Sequence, residues 1–127
     1  MGNHLAVKEL VDKASALLRQ DEHYQELIGA CTLDYEATAY ASKDVSLERM
    51  SFDCIGCCRY GSNEGIYGDV LIHGLWRSSQ IGEASMSVYT FKTLRTDKDA
   101  YLAMGTLATL FAYYMNKVVE ENYDRFQ

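Results

Sequence analysis

The stretch 96–126, TDKDAYLAMGTLATLFAYYMNKVVEENYDRF, decides how the rest of the chain can be arranged. Thr96 is a good helix N-cap, because its hydroxyl can accept a hydrogen bond from a backbone N–H of the first turn. Asp97 and Asp99 follow where the positive end of the helix dipole favours carboxylates. Met104, Leu107, Phe111, Tyr114 and Val118 then recur three and four residues apart, a helical stripe that Leu110, Met115 and Val119 widen. No charged residue occurs from Ala100 to Asn116. A helix that is apolar or small nearly all round has to be covered on more than one side. The uncharged run is shorter than the ~20 residues of a bilayer span, and it carries Gly105, Tyr113, Tyr114, Asn116 and two threonines. A core helix is therefore predicted, and no membrane association. Gly105, Ala108 and Ala112 form a small-residue strip on it. The strip can pack on the chain's own sheet or first helix, or it can be the seam of a homo-oligomer. Self-association through this helix is the expectation.

Working backwards, three segments read as strands. Met50–Tyr60 alternates, with Met50, Phe52, Cys54 and Cys58 on one face and Ser51, Asp53 and Arg59 on the other. The segment 61–65, Gly-Ser-Asn-Glu-Gly, is a hairpin loop with glycine at both ends. Ile66–Trp76 is the second strand, with Val70, Ile72 and Trp76 sharing a face. A turn over Arg77–Gly82 leads to a third strand, Ala84–Leu94, on which Met86 and Val88 oppose Tyr89 and Phe91. Short loops make an antiparallel meander the simplest topology.

The N-terminal part reads as helical. A first helix begins at Asn3 or His4. It carries a stripe of Leu5, Leu10, Ala14, Leu17 and Leu18 flanked by Val7 and Val11, and opposite-charge pairs at Lys8/Asp12 and Glu9/Lys13. Gln20-Asp21 ends or turns it. In Glu22–Ser42, Tyr24, Leu27, Ile28, Cys31, Tyr35 and Ala39 share a helical face, although Gly29 weakens such a helix by about 1 kcal/mol. One helix is the favoured reading. A short helix to Cys31 followed by a strand through Thr32–Tyr40 is the alternative. The fold class is thus α+β: N-terminal helices, a three-stranded antiparallel meander, and a long C-terminal helix packed on the sheet.

A length of 127 residues suits one domain over 1–127 with a real core. Hydrophobic content of 48% and charged content of 24% are those of an ordinary soluble protein, and the lack of proline argues against a linker-rich chain. Met1–Gln20 is amphipathic rather than signal-like, so a cytoplasmic location with reduced thiols is expected. The net charge of −6 is local. Between Asp21 and Asp53 eight acids (Asp21, Glu22, Glu26, Asp34, Glu36, Asp44, Glu48, Asp53) meet two bases, Lys43 and Arg49, and the remainder of the chain is neutral. Such a stretch repels phosphate backbones, which disfavours direct nucleic-acid binding, and attracts a basic protein surface.

The candidate chemistry is thin. In Cys54-Ile55-Gly56-Cys57-Cys58, the C-x-x-C could be half of a zinc site completed by Cys31 and by His23 or His73. No second half-motif is present, and a regular strand points Cys54 and Cys57 to opposite faces, so only a turn at Gly56 would join them. Packing as small buried hydrophobes is the preferred role of these cysteines, and no cofactor is expected. A redox dithiol would want the helix N-terminus that lowers a thiol pKa. His73 has no acid or oxyanion donor placed near it by the sequence. The glycines punctuate strands and do not run into a helix as a phosphate loop does. A pocket between sheet and helices, lined by His73, Trp76, Arg77, Tyr89 and Phe91, would suit a small-molecule-binding or sequestering protein, but no motif marks one.

Binding rather than catalysis is the leading reading. Tyrosine is abundant, with ten residues, and Tyr24, Tyr35 and Tyr40 lie inside the acidic stretch. Rigid amphipathic rings interleaved with acids suit a surface that docks on a basic groove. Glu22, Glu26, Asp34, Tyr35, Glu36, Asp44 and Glu48 are the candidate contact residues, in an inhibitor-type protein that could occupy a nucleic-acid site. The order helix, meander, helix is similar to that of some small acidic anti-CRISPR inhibitors that mimic DNA. That likeness is one of topology alone, and fold does not license function.

Overall fold

The computed structural model describes residues 7–31, 35–39, 53–61, 65–75 and 83–121. Helix α1 (Val7–Arg19) and helix α2 (Glu22–Cys31) come first, then strands β1 (Tyr35–Ala39), β2 (Asp53–Gly61), β3 (Gly65–Leu75) and β4 (Glu83–Thr93), then helix α3 (Lys98–Glu121). The α+β class, the N-terminal helices, the β2–β3–β4 meander and the long C-terminal helix on the sheet are as the sequence predicts. The sheet gains a fourth strand, in the order β1-β4-β3-β2, all antiparallel. The single helix favoured over Glu22–Ser42 is corrected by it: α2 stops at Cys31 and the alternative strand, β1, adds to the outer side of β4.

Each boundary has a local cause. Gly61 pairs with Gly65, whose φ of 105° lies in the left-handed region that a tight turn demands of glycine. Asp21 opens α2: its Oδ1 accepts from the N–H groups of His23 (2.8 Å) and Tyr24 (3.1 Å). Asp97 rather than Thr96 opens α3, with Oδ2 accepting from Ala100 N at 3.3 Å. Arg95 grips the same carboxylate through Nε (2.9 Å) and Nη2 (2.7 Å), which holds its pKa down to about 2. That grip selects the cap among adjacent capping residues. The first helix as described begins at Val7, and its proposed start at Asn3 or His4 lies outside the described residues.

One face of the sheet is covered by α1 and α3 side by side. Leu10, Val11, Ala14 and Leu18 of α1 meet Met104, Leu107, Phe111, Met115 and Val118 of α3 over Ile66, Val70, Ile72, Val88 and Phe91. Phe111 lies against Tyr89 (centroids 4.4 Å apart) and Phe91 (5.8 Å), a trio at the centre of the core. A β-bulge corrects the simple alternation on β4. Val70 pairs with Tyr89 but Leu71 with Ser87, so Val88 is the extra residue. Val88 and Phe91 are both in the core, with Tyr89 packed against it, where period two would oppose Val88 to the other two.

Helix α3 runs along β2, antiparallel to it and very close. A Cβ on Gly56 would lie 2.5 Å from the Ala108 carbonyl, and one on Gly68 2.5 Å from the Met104 oxygen. These two glycines let a helix backbone rest directly on strand backbone.

Candidate functional site

Along the edge strand β2 the contacts with α3 follow in order. Asn116 holds the backbone of Cys54 with both ends of its amide: Oδ1 accepts from Cys54 N at 2.8 Å and Nδ2 donates to Cys54 O at 3.0 Å. Ala108 sits on Gly56, and Gly105 lies over Cys58, whose thiol donates to Tyr101 O at 3.6 Å. At the far end the rings of Tyr60 and Tyr101 stack at 5.1 Å. Outside this line of contact an open groove of about 740 Å³ runs between the strand edge and the flank of α3. Its lining includes Cys57, Leu102, Gly105, Thr106, Thr109 and Tyr113. Leu102 is 56% exposed and Tyr113 52%, and Tyr60 of β2 is exposed where it stacks on Tyr101 of the groove lining. The Thr106 hydroxyl is spent inside the helix, donating to Leu102 O at 2.9 Å, and the groove wall is mostly apolar.

On the opposite face of the sheet the register builds two polar rows. Cys57, Asp69 and Thr90 form one, and Arg59, Tyr67, Lys92 and Glu36 the other. Asp69 is only 5% exposed. Its carboxylate is satisfied by the Arg59 guanidinium and by the Thr90 hydroxyl at 2.7 Å. Arg59 stands over the Tyr67 ring (4.4 Å to the centroid), as does the Lys92 ammonium (5.6 Å). Within this cluster the buried acid Asp69 is matched by Arg59.

The cysteines divide between the two faces, as strand geometry requires. Cys54 is buried under α3, and burial pushes its thiol up to about 12. Cys58 faces the same way, half-buried. Cys57 points to the outer face, exposed; burial first and Asp69 second raise its pKa as well. Raised thiol pKa values oppose both nucleophilic and redox roles at neutral pH. Cys54 and Cys57 do not form a chelating pair, and Cys31 closes α2. Among the described residues no three His, Cys, Asp or Glu side chains gather as a metal would need.

The acidic candidates are dispersed along the fold. Glu22 and Glu26 are exposed on α2, four residues apart, with His23 Nδ1 3.9 Å from Glu26. Tyr35 and Glu36 belong to β1, where Glu36 pairs with Lys92 of β4. Asp34, Asp44 and Glu48 lie outside the described residues. Asp21, the first of the eight acids and next to Glu22 in sequence, is engaged: besides capping α2 it accepts the Tyr114 hydroxyl from α3. That bond lowers the Asp21 pKa and raises the phenol to about 12.

Of the small-residue strip, Ala108 and Ala112 are buried at 0% and 4% within the chain itself, against its own sheet; Gly105 alone reaches the groove. The sheet–helix pocket expected around Tyr89 and Phe91 is filled by Phe111, and Trp76 and Arg77 fall outside the described residues. His73 is half-buried on the outer face, across from Asp53 and Ser85. The residues that sequence reasoning missed are Asn116, Tyr114 and the flank Leu102–Thr109–Tyr113. The signal for the flank was present: a helix without charge from Ala100 to Asn116 has a second apolar side beyond its buried stripe.

No helix of the described residues is long and apolar enough to cross a membrane. No protein-family model matches the chain, and neither a curated protein nor a solved structure matches it.

Proposed function

We propose that this chain is a binding protein whose acidic, tyrosine-bearing surface docks on a basic protein surface, as an inhibitor does. The observation that carries the reading is the pair Glu22 and Glu26, exposed one turn apart on α2, at the start of a stretch rich in acids and poor in bases. Helix α2 is held to α3 through Asp21 and Tyr114, so its charges are presented on a fixed element. Complementary charge of this kind accelerates encounter and selects the partner more than it deepens affinity.

Affinity capture with the wild-type chain and with the Glu22→Ala/Glu26→Ala variant, at low and high salt, tests the reading. A basic protein retained by the wild type, released by salt and bound several-fold more weakly by the folded variant supports it. Competition by duplex DNA for that protein would place the acids in a nucleic-acid site. Equal capture by the variant overturns the proposal.

A further inference from the structure

We infer that the groove between β2 and α3 is closed by a second copy of this chain, in a two-fold dimer that pairs β2 with β2 across the edges that no described strand covers. The inference is independent of the acidic surface on α2.

Strand β2 is the last strand of the sheet among the described residues. Cys54 turns its N–H and C=O away from β3 and toward Asn116. In an antiparallel ladder alternate residues turn their backbone groups the same way, so Gly56, Cys58 and Tyr60 present theirs on the open side. A row of unmet backbone donors and acceptors is a template for another strand. Asn116 closes the row at one end, which leaves the segment from Ile55 to Gly61, centred on Cys58.

A two-fold axis at such an edge always yields an antiparallel pair, and an isologous contact is the commonest way in which soluble chains assemble. With the axis at Cys58, Gly56 of one copy faces Tyr60 of the other, and Cys57 faces Arg59. No like charges meet. Moving the axis to Arg59 would set two guanidinium groups against each other, which disfavours that register.

The helix layer fits the same operation. Helix α3 rests on Gly56 of β2 and on Gly68 of β3, so its axis lies between these strands, about half a strand spacing inside the edge. Pairing two copies at one strand spacing then sets the two α3 axes about two spacings apart, ~9.6 Å. Packed helices lie 8–10 Å apart, roughly the same distance. The surfaces that meet there are the exposed Leu102, Thr109 and Tyr113, with Gly105 near the axis where space is least. A strip ~24 Å long, the seven residues from Ile55 to Gly61, and ~20 Å deep buries about 480 Å² per copy. In all that is roughly 1,000 Å², the least that a specific interface needs and the size of a weak dimer.

The test is sedimentation velocity of the full chain up to roughly 100 μM, paired with amide hydrogen exchange. A dimer is expected, in which the amides of Gly56, Cys58 and Tyr60 exchange at least about tenfold more slowly than in the dilute monomer, while Cys54, held by Asn116, is unchanged. The Leu102→Arg/Thr109→Arg variant alters only exposed positions and sets cations against their copies. It should sediment as a monomer with unaltered circular dichroism. A wild-type monomer at every concentration overturns the inference. So does a dimer that survives in the variant, or one whose edge amides exchange freely. An apolar small molecule or foreign peptide found in the groove by native mass spectrometry, in place of a second chain, overturns it too.

Discussion

Replacing Gly56 by alanine adds one methyl group where the helix backbone already lies. The new Cβ would be 2.5 Å from the carbonyl carbon and oxygen of Ala108 and from the amide nitrogen of Thr109. None of these can swing aside, since they are main-chain atoms of a 24-residue helix. Restoring ordinary contact requires α3 to rise by about 1 Å, lifting Met104, Leu107 and Phe111 from the sheet, and overpacking of this kind costs about 1–3 kcal/mol or more. The smaller conformational freedom of alanine in the unfolded chain returns about 0.4–1 kcal/mol. The net loss is about 1 kcal/mol. With a urea m-value of ~1.5 kcal/mol/M the midpoint should fall by somewhat under about 1 M. Gly105→Ala is the matched control: its Cβ would meet only Cys58 Cβ, at an ordinary 3.8 Å. A mid-helix glycine replaced by alanine should gain about 0.5–1 kcal/mol. Both unfolding curves belong at one fixed chain concentration, because association would otherwise enter the midpoint. An unchanged or raised midpoint for Gly56→Ala would refute the close helix–strand contact. A shift of the same sign for both variants would show a general effect of losing glycine instead.

The bond between Tyr114 and Asp21 predicts two limbs of pH dependence. The phenol, raised to about 12, contributes stability that is complete below its ordinary 10.0 and is lost as pH climbs through about 12; Tyr114→Phe should flatten that alkaline limb in chemical denaturation. The Asp21 carboxyl, lowered below 3.8, contributes stability present above that value and lost as pH falls through its folded pKa, and the same variant should shrink the acid limb. For the thiols, iodoacetamide at pH 8 should label exposed Cys57 well before buried Cys54, whose thiolate fraction there is roughly one part in ten thousand; peptide mapping before and after unfolding reads the order, and equal rates would refute the two-faced placement.

The meander and α3 were legible because each carries a long, unambiguous period. Cys54 and Cys58 fall inward and Asp53, Cys57 and Arg59 outward, as period two requires. Met104, Leu107, Phe111 and Val118 are buried as period 3.6 requires. Strand β1 failed this test for a geometric reason. Tyr35 and Ala39 are four apart, a spacing that shares a face in a helix and in a strand alike, and five residues give too little pattern to choose. What chose was β4, more than fifty positions away, through pairs such as Tyr35 with Thr93. The bulge at Val88 was illegible because it shifts register without altering composition. At the candidate site the lack of charge on α3 was visible, but the place of β2 as the last strand among the described residues was not. An edge is a property of strand order, and strand order is written in contacts between distant segments. Whether Gly105, Ala108 and Ala112 pack on the chain's own sheet or on a second chain likewise depends on where Gly56 and Gly68 lie.

The hydrogen bond from Tyr114 to Asp21 spans 93 residues. Neighbouring strands β2, β3 and β4 close through short loops, and α3 follows β4 directly, so that unit assembles from contacts near in sequence. Helices α1 and α2, like β1, join through distant contacts whose loop-closure entropy must be met first. On that ground they are expected to dock last on the way to the native state and to open first once it is reached. The Tyr114 hydroxyl thus adds a latch to the buried Leu10–Leu18 seam that holds the N-terminal third of the molecule. Without it that seam should loosen before the meander under α3, and a protease offered the Tyr114→Phe protein should cut there first.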